Sequence, residues 1–213
     1  MKGLLLNQYY AVEKSFWWYM PLSLIAALVF VYFENRVFQW AAVLFPLAFM
    51  ASVAIEVLKH EAKSGWSKFV LTLPVKRDRV VQSHYLFFIL ISSVGLAILG
   101  IQFIVSEYLL GITLGPGHVY NIMNGLGIVF TLGFITYPLT YILGTEKAET
   151  ILMIGVGAGI GLYFLSSFLY NLLFSGVQGN VDLLFSLSFM LMTLILFIIS
   201  YIVSIQVYKR KEF

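Results

Sequence analysis

The chain has 213 residues, 61% of them hydrophobic and 11% charged, with a formal net charge of +3. So apolar a composition excludes an ordinary soluble domain and identifies an integral membrane protein. With no cysteine there is no disulfide framework and no thiolate metal site, and cations gathered beside hydrophobic runs suit anionic lipid headgroups rather than nucleic acid.

Residues 1–15 mix Leu4, Leu5, Leu6, Tyr9 and Tyr10 with Lys2, Asn7, Gln8, Glu13 and Lys14. That stretch is too short and polar to cross a bilayer, and Glu13 and Lys14 argue against a cleavable signal peptide. It reads as an interfacial helix. Phe16, Trp17, Trp18 and Tyr19 follow as an aromatic belt at the headgroup level.

A hydrocarbon core of about 30 Å takes roughly 20 helical residues, and six runs meet that length: 16–33, 37–58, 80–105, 122–143, 150–174 and 183–208. Glu34, Asn35 and Arg36 tightly link the first two. Gly111, Gly115, Pro116 and Gly117 give the link at 106–121 its turn chemistry, and 144–149 joins the fourth and fifth runs. Gly176 and Gly179 mark the last link, after which Asp182 is placed to cap the final helix. The fold expected is all-α, one transmembrane unit over 1–213.

Between the second and third runs lies the one long polar stretch, 61–85, with Lys63, Lys68, Lys76, Arg77 and Arg79 following Lys59. Ala62, Trp66, Phe69, Val70 and Leu73 recur at helical spacing, which predicts a short amphipathic surface helix over about 59–73. Pro74 ends it, since proline lacks an N–H and drives Leu73 to extended geometry. Composition leaves two uses open: an anchor for the loop, or a docking knob that presents Trp66 and Phe69 to a cytoplasmic partner with cations steering the approach.

An even number of spans puts both termini on one side with the loops at 59–79 and 144–149. That side collects Lys2, Lys14, Lys59, Lys63, Lys68, Lys76, Arg77, Arg79, Lys147, Lys209, Arg210 and Lys211, against Arg36 on the other. The positive-inside rule makes the cation-rich side cytoplasmic.

No Asp, Glu, Lys, Arg or His stands near the midpoint of a span, which counts against a proton relay or an ion-driven carrier. His60, His84 and His118 fall on different segments and do not predict a metal site. Gly155, Gly157, Gly159 and Gly161 lack the third glycine of a dinucleotide fingerprint, because Ile160 stands there. They form instead two overlapping small-xxx-small pairs, 155 with 159 and 157 with 161, which permit close helix approach within a subunit or between subunits. Pro46 and Pro138 are expected to kink their spans. No glycine is followed by lysine, so the chain has no phosphate loop of its own and no catalytic or cofactor-binding residue is assigned.

Glu61, Ser64-Gly65-Trp66, Lys68-Phe69, Thr72-Leu73-Pro74-Val75, Arg77, Val80-Val81 and His84-Tyr85-Leu86 stand in an order that resembles the segment between spans two and three of small six-span ABC-2 type permeases, the membrane subunits of exporters of phenol-soluble modulins and antimicrobial peptides. The resemblance is sharp over that segment and looser elsewhere; His84 departs from the lysine common there. It implies a coupling helix that docks an ATPase subunit through Glu61, Lys63, Gly65, Trp66, Lys68, Phe69, Leu73, Pro74 and Arg77. It further implies two ATPases carrying ATP and Mg, a second permease copy or sibling permease, and a bacterial plasma membrane. The cargo expected is an amphipathic peptide or other amphiphile moved outward. The rival readings are an ion-coupled carrier needing no ATPase and a non-transporting scaffold or sensor that docks a cytoplasmic protein.

Overall fold

The computed structural model describes residues 1–33, 35–174 and 180–210, without the side chains of residues 67, 68 and 71. Glu34, Gly176, Gly179 and Lys211, and the Lys68 side chain, for which the sequence sets expectations, lie outside the described residues. Six helices are long and apolar enough to cross a membrane. In chain order they are α1 (Lys2–Tyr32), α2 (Arg36–Ser64), α4 (Arg77–Ile104), α5 (Pro116–Leu143), α6 (Ala148–Phe174) and α7 (Val181–Arg210), with the one-turn helix α3 (Trp66–Phe69) between α2 and α4.

The helix boundaries differ from the sequence reading where local chemistry permits a helix to run on. Residues 1–15 form no separate interfacial helix; they are the first half of α1, because nothing between Lys2 and Tyr32 breaks the backbone, Pro21 included. Glu13 and Lys14 are exposed and stand about 18 Å along α1 at 1.5 Å per residue. Likewise α2 continues six residues past its apolar run to Ser64, and α5 begins at Pro116, where a proline at the first helical position loses no hydrogen bond. Asn35 caps α2 by accepting from the Val37 N–H at 2.9 Å. At α7 the capping side chain is Asn180, which accepts from the Leu183 N–H at 3.4 Å, and Asp182 sits inside the first turn.

α2 is the central helix and packs against α1, α4, α5 and α6. Leu47, Met50, Ala51, Val53 and Leu58 along it are fully buried. In lipid such contacts are held by close van der Waals packing rather than by escape from water, so small residues decide where helices meet. α5 and α7 make the most extensive pair. A Cβ on Gly127 would fall 2.5 Å from the Phe189 ring, and one on Gly133 would fall 2.6 Å from Phe197.

Alternation of helix direction gathers Lys2, Lys59, Lys63, Lys76, Arg77, Arg79, Lys147, Lys209 and Arg210 at one end of the bundle and leaves Arg36 at the other. These are called the basic end and the far end below.

Candidate functional site: the coupling segment at the basic end

α2 stops at Gly65, whose φ of 70° is the left-handed conformation that caps a helix and that a side chain resists. Its amide bonds back to the Ala62 carbonyl at 3.4 Å, and its own carbonyl accepts from Phe69 at 3.1 Å, which starts α3 directly. α3 tightens into the 3₁₀ turn Val70–Thr72. Leu73 is extended (φ −82°, ψ 150°), as the following Pro74 requires, and three residues after Leu73 Lys76 stands at the N-cap of α4. The expected helix over 59–73 is therefore two pieces: the last turn of α2, and a compact turn over 66–72 set at an angle by Gly65.

The faces of that turn divide cleanly. Val70 is buried, and Trp66, Leu73 and Val75 are half-buried against the main core. Phe69 leaves the stripe on which its spacing put it and is 54% exposed, its ring 5.5 Å from that of Trp66. Lys63, Gly65, Thr72, Pro74 and Arg77 are exposed around it. The first residues of α1 flank the segment: Met1, Gly3 and Leu4 line a groove of about 790 Å³ with Trp66, Leu73 and Pro74.

Glu61 is placed otherwise than the other segment residues. It is 5% exposed and turned into the bundle, where its Oε1 lies 3.1 Å from Nε2 of His84 on α4. His84 is 2% exposed; its Nδ1 lies 2.8 Å from the Tyr141 hydroxyl on α5, and the Tyr141 ring meets Tyr208 of α7 edge-on at 5.3 Å. One turn away, Tyr137 donates to the His84 carbonyl at 3.3 Å. Tyr85 is hydrogen-bonded to Ser200 at 2.5 Å and Ser204 at 2.9 Å on α7. From α1, Gln8 donates to Ser83 at 2.9 Å. Buried polar chains of this kind hold their members to one arrangement, because any broken link strands a group with no water to replace it.

Further ties fix the segment from outside. Arg77 donates to the Lys209 carbonyl at 2.9 Å, and the Lys209 ammonium pairs with Asp78 at 3.0 Å, which joins the start of α4 to the end of α7. Lys59 pairs with Glu149 at 3.2 Å between α2 and α6, in the open where such pairs contribute little. The sequence reading missed the Glu61–His84 pair, although helical phase marked each member as inward-facing: Glu61 shares a face with Ala54, Val57 and Leu58, and His84 with Val80, Val81 and Phe88, all buried.

Among the described residues no three His, Cys, Asp or Glu side chains converge as metal ligands would. The four glycines of α6 divide into two sets. Gly155 and Gly159 face α5, where a Cβ would meet Thr136 at 2.7 Å and Ile128 at 3.4 Å, whereas Gly157 and Gly161 face open space.

The basic end thus bears an exposed aromatic on a turn tied to α2, α4, α5 and α7. A family model described as ABC-2 family transporter protein matches residues 3–209. No curated protein and no solved structure matches the chain. The chain belongs to the ABC-2 transporter family, and is thus a multi-pass membrane permease subunit of an ABC exporter that works with an ABC ATPase.

Proposed function

We propose that this permease exports amphipathic peptides or similar amphiphiles across a bacterial plasma membrane, with its termini and the 59–79 segment in the cytoplasm. Two ATPase subunits, each carrying ATP and Mg, drive a pair of permeases formed by two copies of this chain or by this chain and a sibling. Docking runs through Trp66, Lys68, Phe69, Leu73, Pro74 and Arg77, with Lys63 and Gly65 at the rim, while Glu61 acts beneath them as the link to α4. The observation that carries the reading is an exposed aromatic, Phe69, on a turn whose base is clamped by buried polar bonds. Exposed aromatics that seat in a partner's pocket concentrate binding energy, and surrounding cations steer the approach.

Cargo preference is supported by composition: the chain has 19 Phe and 13 Tyr and its spans carry neutral polar groups, which suits a path tolerant of apolar solutes. The test is reconstitution. The chain and its ATPase in proteoliposomes should show nucleotide hydrolysis that rises with an added amphipathic helical peptide and accumulation of that peptide on the side away from the ATPase. Transport driven by a pH gradient without the ATPase would overturn the proposal.

A further inference from the structure

A second polar feature lies at the far end. A cavity of about 510 Å³, within the range of ligand sites, is framed by the first turns of α2, α5 and α7 and the second half of α6. Among the described residues its wall carries one cation, Arg36, one anion, Asp182, and four carboxamides, Gln39, Asn121, Asn124 and Asn171. Tyr163, Tyr170 and Phe185 supply an aromatic side, their rings 5.4 to 5.9 Å apart in sequence around it.

Asn124 is 5% exposed, lines this cavity, and its Oδ1 meets no donor. In an adjoining recess that shares Gln39, Gly117 and Asn121, His118 is 7% exposed and its Nε2 is likewise unpartnered. Buried polar atoms without partners are rare and costly, and two of them, one in the cavity and one in the recess beside it, indicate a place built to receive polar groups.

The wall selects among ligands. A phosphate headgroup calls for clustered cations, and here a single arginine is offset by a carboxylate in the same cavity. A bare cation would meet Arg36. A carboxamide offers both donor and acceptor, so four of them complement the alternating N–H and C=O of a peptide backbone, with the charged pair suited to its ionic groups and the aromatic side to its side chains. We propose that this cavity is a release-side binding site for a short peptide segment, with Asn121 and Asn124 as its principal backbone contacts. That it lies on the release side rests on the export reading above; that it binds peptide does not.

The chain has no cysteine, so Ser167→Cys, on the cavity wall, places a single thiol there in the full-length permease. In nanodiscs, without ATPase or nucleotide, the rate of its modification by a small cationic thiol reagent is measured against added tetra-alanine. The peptide should slow the reaction about tenfold near saturation. Adding Asn124→Leu should raise the half-protecting concentration by about tenfold or more, the effect of one lost buried hydrogen bond, with the unprotected rate unchanged. If that rate changes, Asn121→Ala, at a half-buried position, takes its place with the same expectation.

Absence of protection, or protection indifferent to both variants, overturns the site. So does equal protection by glycerophosphocholine or maltose, which would mark a headgroup or sugar pocket. A membrane-impermeant reagent on intact cells separates the two readings: peptide protection with labelling only from the cytoplasm would leave the binding site standing and overturn the orientation on which the export reading depends.

Discussion

Glu61 and His84, separated by 23 positions in the chain, meet at 3.1 Å in a space almost sealed from solvent, and they join the helix that leads into the coupling segment to the helix that leads out of it. The pair thus ties the end of α2 to the start of α4 across the 65–76 turn.

Breaking this pair from one side should be costly. His84→Phe leaves the Glu61 carboxyl buried with no partner, a change that typically costs about 3–5 kcal/mol. The double variant Glu61→Met/His84→Phe should recover a large part of that, since two apolar groups leave nothing stranded. Thermal unfolding of the four species in detergent, read as a double-mutant cycle, checks it; equal losses in the single and double variants would remove the pair from the account.

Phe69→Asp should abolish co-purification with the ATPase and leave the unfolding temperature unchanged, because the ring is exposed. Loss of an interface anchor costs about 2 kcal/mol or more, which is roughly thirtyfold in Kd. Trp66→Asp should weaken docking too, but it also removes a half-buried ring from the core and should lower stability. Retention of the complex in both variants would exclude the docking role.

Gly65→Ala tests the joint itself. No atom lies within 4 Å of the added Cβ, so its cost comes from the positive φ alone, about 1 kcal/mol. Gly65→Asn should cost less, and chemical unfolding of the three proteins orders them.

The α6 glycines should respond in opposite ways. Gly155→Leu forces a side chain into the space occupied by Thr136 and should collapse the yield of folded protein, whereas Gly157→Leu extends into open surroundings and should leave single-chain stability within about 0.5 kcal/mol. Size-exclusion profiles and melting curves of the two variants decide this.

The number of spans was legible, because hydropathy is a property of whole segments and survives local error. Helix ends were less so. Apolar runs locate the hydrocarbon, while helices continue until a residue such as Gly65 or Leu73-Pro74 stops them, so α2 outran its greasy stretch and absorbed the start of the segment once read as separate. Glu61 was placed at the docking contact by the resemblance of its segment; its place on the buried face was written in the positions of Ala54, Val57 and Leu58. The partner it finds could not be read, since nothing along the chain relates residue 61 to residue 84 before α2 and α4 lie side by side. The split between Gly155 with Gly159 and Gly157 with Gly161 was equally hidden: the spacing is the same, and only the position of α5 separates them.

The buried residues of α6, Ala148, Ile151, Gly155 and Gly159, all belong to its first half, while the remainder leans on the bundle through the rims of Tyr163 and Tyr170. Such a rod is anchored like an oar in its rowlock. With about 15 residues beyond Gly159, an arm near 22 Å, a tilt of about 10° about the glycine contact would move its tip by about 4 Å, so any rocking of this helix is felt least where it is packed and most at the far end.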